Sequence, residues 1–254
     1  MRRRSFFAAL AGIAACPVCA GLARAAESDH AVHWSYEGDT GPTNWSKLSE
    51  ANRACSIGTR QSPIDIVESI KAELPPLRIS FRRGAKQIVN NGHTIQVNVP
   101  PGSRTVVGAQ TYELLQFHFH HPSEHLIAGK SYPMECHFVH RTAQGTLGVV
   151  GVLINEGGVN ATFTEIMKLA PAQEGEVSEG LDAIDPNQLL PKVRNYYRYA
   201  GSLTTPPCSE DVDWMLLAAP IAVAGPSVAK FTSLYPNDAR PPQQAFKRFV
   251  LRSS

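Results

Sequence analysis

Ten residues, Gln116–His125 (QFHFHHPSEH), hold four of the nine histidines of the chain. The run alternates like a β-strand, in which side chains two apart share a face. Gln116, His118 and His120 then point one way and Leu115, Phe117 and Phe119 the other, so that one face is rich in nitrogen and the other apolar. Imidazoles at i and i+2 on a stiff strand are spaced to grip one metal ion, and zinc is a common guest of such ligands. A lone H-x-H fits exposed or core histidines as well. A metal centre therefore needs a third ligand, an open position and a proton route from elsewhere in the chain.

Pro133–His140 (PMECHFVH) offers two further histidines. Alternation puts Glu135, His137 and Val139 on one face and Met134, Cys136, Phe138 and His140 on the other, so His137 and His140 cannot both reach one site. His137 is the better ligand, because a metal-bound imidazole usually donates its second N–H to a carboxylate or amide, and Glu135 shares its face. Gln116 stands in the same relation to His118. A satisfied core histidine is the alternative for His137, and it is the reading kept for His140. Three neutral imidazoles would leave the full double charge of the ion acting on a bound water, where a carboxylate ligand would cancel part of it. His121 falls on the opposite strand face from the ligands, and His125 takes a structural role.

The elements that must position these groups are mostly short strands. Ile79–Phe81, Gln87–Asn90, Thr94–Val99, Thr111–His120, Tyr132–His140, Leu147–Ile154, Asn195–Tyr199 and Val212–Leu217 have strand character, punctuated by turn formers such as Asn90-Asn91-Gly92 and Pro100-Pro101-Gly102. Short helices are expected at Phe163–Leu169 and Val228–Leu234, a loop over Glu174–Gly180, and an irregular wrap over residues 26–60. This pattern predicts a predominantly β (α+β) fold in one domain, residues 26–254, with no linker and no internal repeat.

The first 25 residues read as an address. Arg2-Arg3-Arg4 precede the apolar run Phe6–Ala15, and Ala23-Arg24-Ala25 reads as a cleavage site, which makes residues 1–25 a cleaved export signal. Arg3-Arg4-Ser5-Phe6-Phe7 also resembles a twin-arginine signal. Cleavage removes four arginines and no acidic residue, and turns the formal charge from +2 to −2. The remaining chain then has no basic patch of the kind that binds nucleic acid, and no apolar run that would anchor it in a membrane. The expected location is periplasmic or secreted. Cys55, Cys136 and Cys208 remain, and an oxidising compartment favours one disulfide and one thiol, with Cys136 the buried thiol.

RQSPIDI, Asn90-Asn91-Gly92-His93, QFHFH, the PSEH segment, ECHFVH and Gly201–Cys208 (GSLTTPPC), in this order along the chain, resemble the α-class carbonic anhydrases, in particular their exported bacterial branch. The resemblance implies one domain on a large twisted, mostly antiparallel sheet with a few short peripheral helices. It implies one zinc ion per chain on His118, His120 and His137, with Gln116 and Glu135 supporting them. It makes Glu124 and Thr204 the pair that orients a zinc-bound hydroxide for attack on carbon dioxide, with Thr205 at the substrate position. Val139, Val149, Leu203 and Trp214 become the apolar wall for that substrate. His93 becomes the proton shuttle, Tyr36 and Asn91 order the connecting waters, and Cys55 pairs with Cys208.

The implied reaction is reversible hydration of carbon dioxide to bicarbonate and a proton, with weak ester hydrolysis beside it. The partners are these small molecules, and a homodimer is compatible with the resemblance. It would place a backbone carbonyl near Asn237 or Asp238 against the second nitrogen of His120. A related binding module without catalysis would lack one or more of the ligand histidines, and the absence of H-E-x-x-H argues against a common metalloprotease.

Overall fold

Leu147–Glu156 (LGVVGVLINE) and Glu210–Val223 (EDVDWMLLAAPIAV) carry nearly continuous apolar runs, which is how strands buried on both faces read. In the computed structural model, which describes residues 33–254, these two strands lie side by side in a twelve-stranded sheet and pair in parallel. A parallel pair needs a crossover. The intervening chain supplies it with the helix Ala161–Leu169 and the strand Tyr196–Ser202, which returns to pair antiparallel with Glu210–Val223. Leu251–Ser253 and Ile70–Ala72 also pair in parallel, at one end of the sheet. The other pairings of this sheet are antiparallel. The export signal expected over residues 1–25 lies outside the described residues.

The site strands sit in the middle. Gln110–His120 pairs with Ile95–Asn98 on one side and Met134–Arg141 on the other, and Met134–Arg141 pairs in turn with Leu147–Glu156. Alternation sends Phe117, Phe119, Cys136, Phe138, Val150 and Val152 into the larger core on one face of the sheet. The helix Ala161–Leu169 covers that face. Asn160 caps it through an Oδ1 that accepts from the Phe163 amide at 3.0 Å, and Phe163, Ile166 and Met167, spaced as one helical stripe, are buried. The helix Gly225–Thr232 adds Val228 and Phe231. The opposite face holds a smaller core of Ile64, Ile66, Val149, Leu153, Tyr199, Trp214 and Leu216. The histidines and glutamates of interest lie on this second face.

Several local expectations need correction. Leu115 does not join Phe117 and Phe119. A bulge between Leu114 and Gln116 shifts the register, so Leu114 enters the large core and Leu115 is left half-exposed. Such a bulge inserts a residue and re-aims the side chains beyond it. Tyr112 and Leu114 on one side of the bulge, and Phe117 and Phe119 on the other, thereby reach the same core.

The N-terminal wrap contains the one-turn helices Trp45–Leu48 and Ala54–Ile57, and the acidic loop contains the two-residue strand Val177–Ser178. The last helix starts at Gly225, earlier than Val228, because Pro226 is suited to a first helical turn. The strands Asp65–Ile66, Ile70–Ala72, Arg104–Val107 and Leu251–Ser253 had no periodicity long enough to reveal them.

Candidate active site

His118 and His137 face each other directly across the antiparallel pair, and His120 lies opposite Glu135. One ring nitrogen from each of His118, His120 and His137 lies within 4.8 Å of the others. Their remaining nitrogens are engaged. Nδ1 of His118 is 2.8 Å from Oε1 of Gln116, Nδ1 of His120 is 2.7 Å from the carbonyl oxygen of Asp238, and Nε2 of His137 is 2.8 Å from Oε1 of Glu135. All three partners accept, so these nitrogens carry the protons. The lone pairs are left on Nε2 of His118, Nε2 of His120 and Nδ1 of His137.

Burial holds all three imidazoles neutral near pH 7. It lowers His118 well below its usual range, helped by His120 and His137, brings His120 down to about 4, and lowers His137 against the pull of Glu135. Burial alone would raise the Glu135 carboxyl, but His125 and His137 outweigh it and hold the group well below the usual carboxylate range.

Glu124 closes the group from the other side. Its Oε1 accepts from the Arg240 amide at 2.8 Å. Its Oε2 faces Nε2 of His120 at 3.6 Å and Nδ1 of His137 at 3.8 Å. Burial pushes the carboxyl up to about 7, opposed by His137, the Thr204 hydroxyl and the Arg240 amide. Thr204 is close enough to favour the ionised carboxyl but does not meet hydrogen-bond geometry with it. Among the described residues, Nε2 of His120 and Oε2 of Glu124 are buried polar atoms without a hydrogen-bond partner. Two orphaned acceptors beside two more imidazole lone pairs make a donor set suited to a divalent cation.

A second grouping, His125, Glu135 and His137, has comparable spacing but different chemistry. Glu135 Oε1 also accepts from Nδ1 of His125 at 2.7 Å, and its Oε2 accepts from the His125 amide at 2.8 Å. Nε2 of His125 then accepts from the Tyr199 hydroxyl at 2.7 Å, which lies 2.8 Å from Oγ of Ser62. Both ring nitrogens of His125 and both oxygens of Glu135 are engaged in that chain, so it braces the first group, and Nδ1 of His137 is the ring nitrogen of this grouping left with a free lone pair.

A family model described as eukaryotic-type carbonic anhydrase matches residues 40–254. The chain belongs to the eukaryotic-type, or α, carbonic anhydrase family. It is 40% identical over 227 residues to a carbonic anhydrase of Pectobacterium carotovorum, with 89% of this chain and 93% of that protein covered. A carbonic anhydrase of Nostoc sp. is 41% identical, with 87% of this chain and 86% of that protein covered. The structure of the α-carbonic anhydrase of Thermovibrio ammonificans, solved with the inhibitor sulfanilamide, superposes with a TM-score of 0.84 at 42% identity, covering 87% of this chain and 99% of that one.

In this carbonic anhydrase fold a cavity of about 120 Å³ has His118, His120, Tyr36, Asn91, His93 and Thr205 among its lining residues. His93 stacks on Trp34, with ring centroids 3.7 Å apart and planes 9° from parallel, and His33 lies beside it at 6.2 Å. Burial and the neighbouring His33 lower its pKa, while Glu174 raises it. Asn91 is committed locally: Oδ1 accepts from the His93 and Thr94 amides and Nδ2 donates to Gln96. Tyr36 keeps its phenolic proton, since burial and the carboxyls of Glu124 and Asp238 raise its pKa well above 10.

Val139, Val149 and Trp214 form one cross-strand row, Val139 opposite Val149 and Val149 opposite Trp214. Leu203 packs with them. The Trp214 ring meets His137 edge-on at 4.9 Å. Thr204 is buried in the loop between Ser202 and Glu210, and Cys208 of that loop is disulfide-bonded to Cys55. Cys136 is a buried free thiol.

His121 is turned away, its Nδ1 bonded to the Pro236 carbonyl, and His140 is in the large-core layer, bonded to Thr105 and the Phe138 carbonyl. Of the two carbonyls that the resemblance offered for His120, at Asn237 or Asp238, the one that meets its Nδ1 is that of Asp238. Ser62 stands in RQSPIDI without an assigned role, and Arg240 and Tyr199 had no motif to point to them. Asp238, Arg240, Tyr199 and Ser62 act through a backbone carbonyl, a backbone amide and hydroxyls, and their positions are set by tertiary packing.

Proposed function

We propose that this chain is a zinc-dependent carbonic anhydrase that interconverts carbon dioxide and water with bicarbonate and a proton. The observation that carries the reading is the convergence of three imidazole lone pairs of settled tautomer on a space faced by an unpartnered Glu124 oxygen. His118, His120 and His137 would hold one zinc ion. When bound, zinc in such a site acts as the Lewis acid that makes water nucleophilic near neutral pH.

The chain's own groups do the rest. Gln116, Glu135 and the Asp238 carbonyl keep the ligand rings turned with their lone pairs inward. Glu124, when ionised, only accepts, so it draws the Thr204 proton toward itself and leaves a threonine lone pair facing the site. That hydrogen-bond sense orients the attacking water for a carbon dioxide molecule seated near Thr205. Val139, Val149, Leu203 and Trp214 present an apolar wall suited to a small, linear molecule without net charge. His93, which lines the same cavity, takes up the released proton and passes it to buffer, with Tyr36 and Asn91 ordering the water between. Weak hydrolysis of activated esters belongs to the same reading.

The protein acts as residues 26–254 after removal of an export signal, in the periplasm or outside the cell. The Cys55–Cys208 disulfide suits that compartment. Among the described residues, no helix is long and apolar enough to cross a membrane.

Stopped-flow hydration of carbon dioxide by metal-analysed protein, beside His118→Ala, tests the reading. One zinc per chain and rapid hydration, both diminished in the variant, are expected. Hydration no faster than buffer by fully zinc-loaded protein would sink it.

A further inference from the structure

Arg240 is 2% exposed, yet no carboxylate among the described residues forms an ion pair with its guanidinium. A buried cation without a carboxylate partner is costly, and it survives only where its N–H groups are well satisfied. Here neutral acceptors do this. Nη1 donates to Oε1 of Gln61 at 2.9 Å and to the Ser62 carbonyl at 2.7 Å, and Nη2 donates to the Cys55 carbonyl at 3.0 Å. The guanidinium also lies 5.6 Å over the ring of Trp45.

These contacts join segments far apart in sequence. Gln61, which accepts from Arg240, donates through Nε2 to the Cys208 carbonyl at 3.1 Å. Arg240 and Gln61 therefore reach the carbonyls of both half-cystines, Cys55 directly and Cys208 at one remove. On the opposite side, the backbone amide of the same arginine donates to Oε1 of Glu124. A carboxylate fixed at one oxygen by a rigid amide has its second oxygen aimed, and Oε2 is the oxygen that faces His120 and His137. The planar fork suits this task, because it offers several donors in a fixed geometry that a lysine cannot reproduce.

We propose that Arg240 is a positioning residue: its buried guanidinium anchors, on Gln61, Ser62 and Cys55, the backbone amide that holds Oε1 of Glu124. The assignment rests on the functional reading above for its effect on rate, and on the fold alone for the anchoring. It makes the disulfide-bonded segments part of the support of Glu124.

Two measurements on the zinc-loaded protein test it. Arg240→Gln should lower kcat/KM for carbon dioxide by about tenfold or more at unchanged zinc content, the scale on which misplacing a supporting group slows catalysis. In a Glu124→Gln background the same replacement should cost less than about twofold further, because residues acting through one another are not additive. Equal losses in both backgrounds would mark a merely structural arginine and overturn the proposal.

The second measurement is hydrogen exchange of the residue-240 amide by NMR, which needs no catalysis. The amide should be protected in the unmodified protein and exchange about tenfold faster in Gln61→Met, which removes one anchor. Fast exchange in the unmodified protein, or equal protection in Gln61→Met, would overturn it. If Arg240→Gln does not fold, Gln61→Met carries both measurements. Zinc-loaded protein that hydrates no carbon dioxide would remove the functional reading, and the exchange measurement would still decide the anchoring.

Discussion

His125 and His137 donate to the same atom: Oε1 of Glu135 lies 2.7 Å from Nδ1 of His125 and 2.8 Å from Nε2 of His137. The two imidazoles hold one ionised carboxylate between them in a dry interior, and the carboxylate in turn fixes which nitrogen of His137 keeps its lone pair.

That shared acceptor makes Glu135 sensitive to an isosteric change. In Glu135→Gln one of the two side-chain heads is an N–H₂ group, which cannot accept from His125. The expected outcome is a zinc affinity reduced by about 10–100-fold, as for other partners of metal-bound histidines. A stability loss of about 1.5–3 kcal/mol should accompany it, the worth of hydrogen bonds to a buried charge. Chelator competition and denaturant unfolding read the two effects. Unchanged zinc affinity would mean that His137 is held by its strand alone.

The Cys55–Cys208 bond closes a span of 153 residues and ties the N-terminal segment to the loop that carries Thr204 and Thr205. Its reduction, or Cys55→Ser with Cys208→Ser, should destabilise the fold by about 2–4 kcal/mol. Carbon dioxide hydration should fall with it, since the loop loses one of its ties. Thermal melts and rates with and without reductant test this, and identical values would remove the claim.

His140 provides a pH dependence away from the site. Burial lowers its pKa to about 4, against 6.5 for the ordinary group, while hydrogen bonds to backbone carbonyls pull it up. Between those values the unfolded chain binds a proton that the folded one does not. Its contribution to stability is therefore full above about pH 6.5 and is lost as the pH falls toward 4, at most about 3 kcal/mol. Unfolding free energies of the metal-free protein between pH 4 and 7 should show a steeper acid loss in the unmodified chain than in His140→Gln. Parallel curves would contradict this.

His93→Ala should lower kcat at low buffer concentration by about tenfold or more while leaving kcat/KM nearly unchanged, and imidazole should restore the rate. The split arises because proton export comes after the chemistry with carbon dioxide. Equal rates at low buffer would show that protons leave by another path. The stacking of His93 on Trp34 makes Trp34→Ala a useful companion, since it frees the ring without removing it.

Much of the site was legible because a strand has a period of two. Parity alone separates His118 and His120 from Phe117 and Phe119, and His137 from His140, and it pairs Gln116 with His118 and Glu135 with His137. The same rule failed at Leu115, where a bulge adds a residue that no periodicity announces. Short strands at the end of the sheet, such as Ile70–Ala72 and its neighbour Leu251–Ser253, were missed for a related reason: three residues carry no period.

By itself the sequence determined which side chains share a strand face, and hence which histidines could act together. The tertiary structure decided what those histidines meet. The parallel pairing of Leu147–Glu156 with Glu210–Val223 brings Trp214 beside His137, and the return of the C-terminal segment sets the Asp238 carbonyl on His120 and the Arg240 amide on Glu124. Backbone carbonyls and amides are present at every residue and carry no side-chain signature. The resemblance narrowed the carbonyl to Asn237 or Asp238, and the path of the chain in space selects Asp238 for His120 and the Arg240 amide for Glu124.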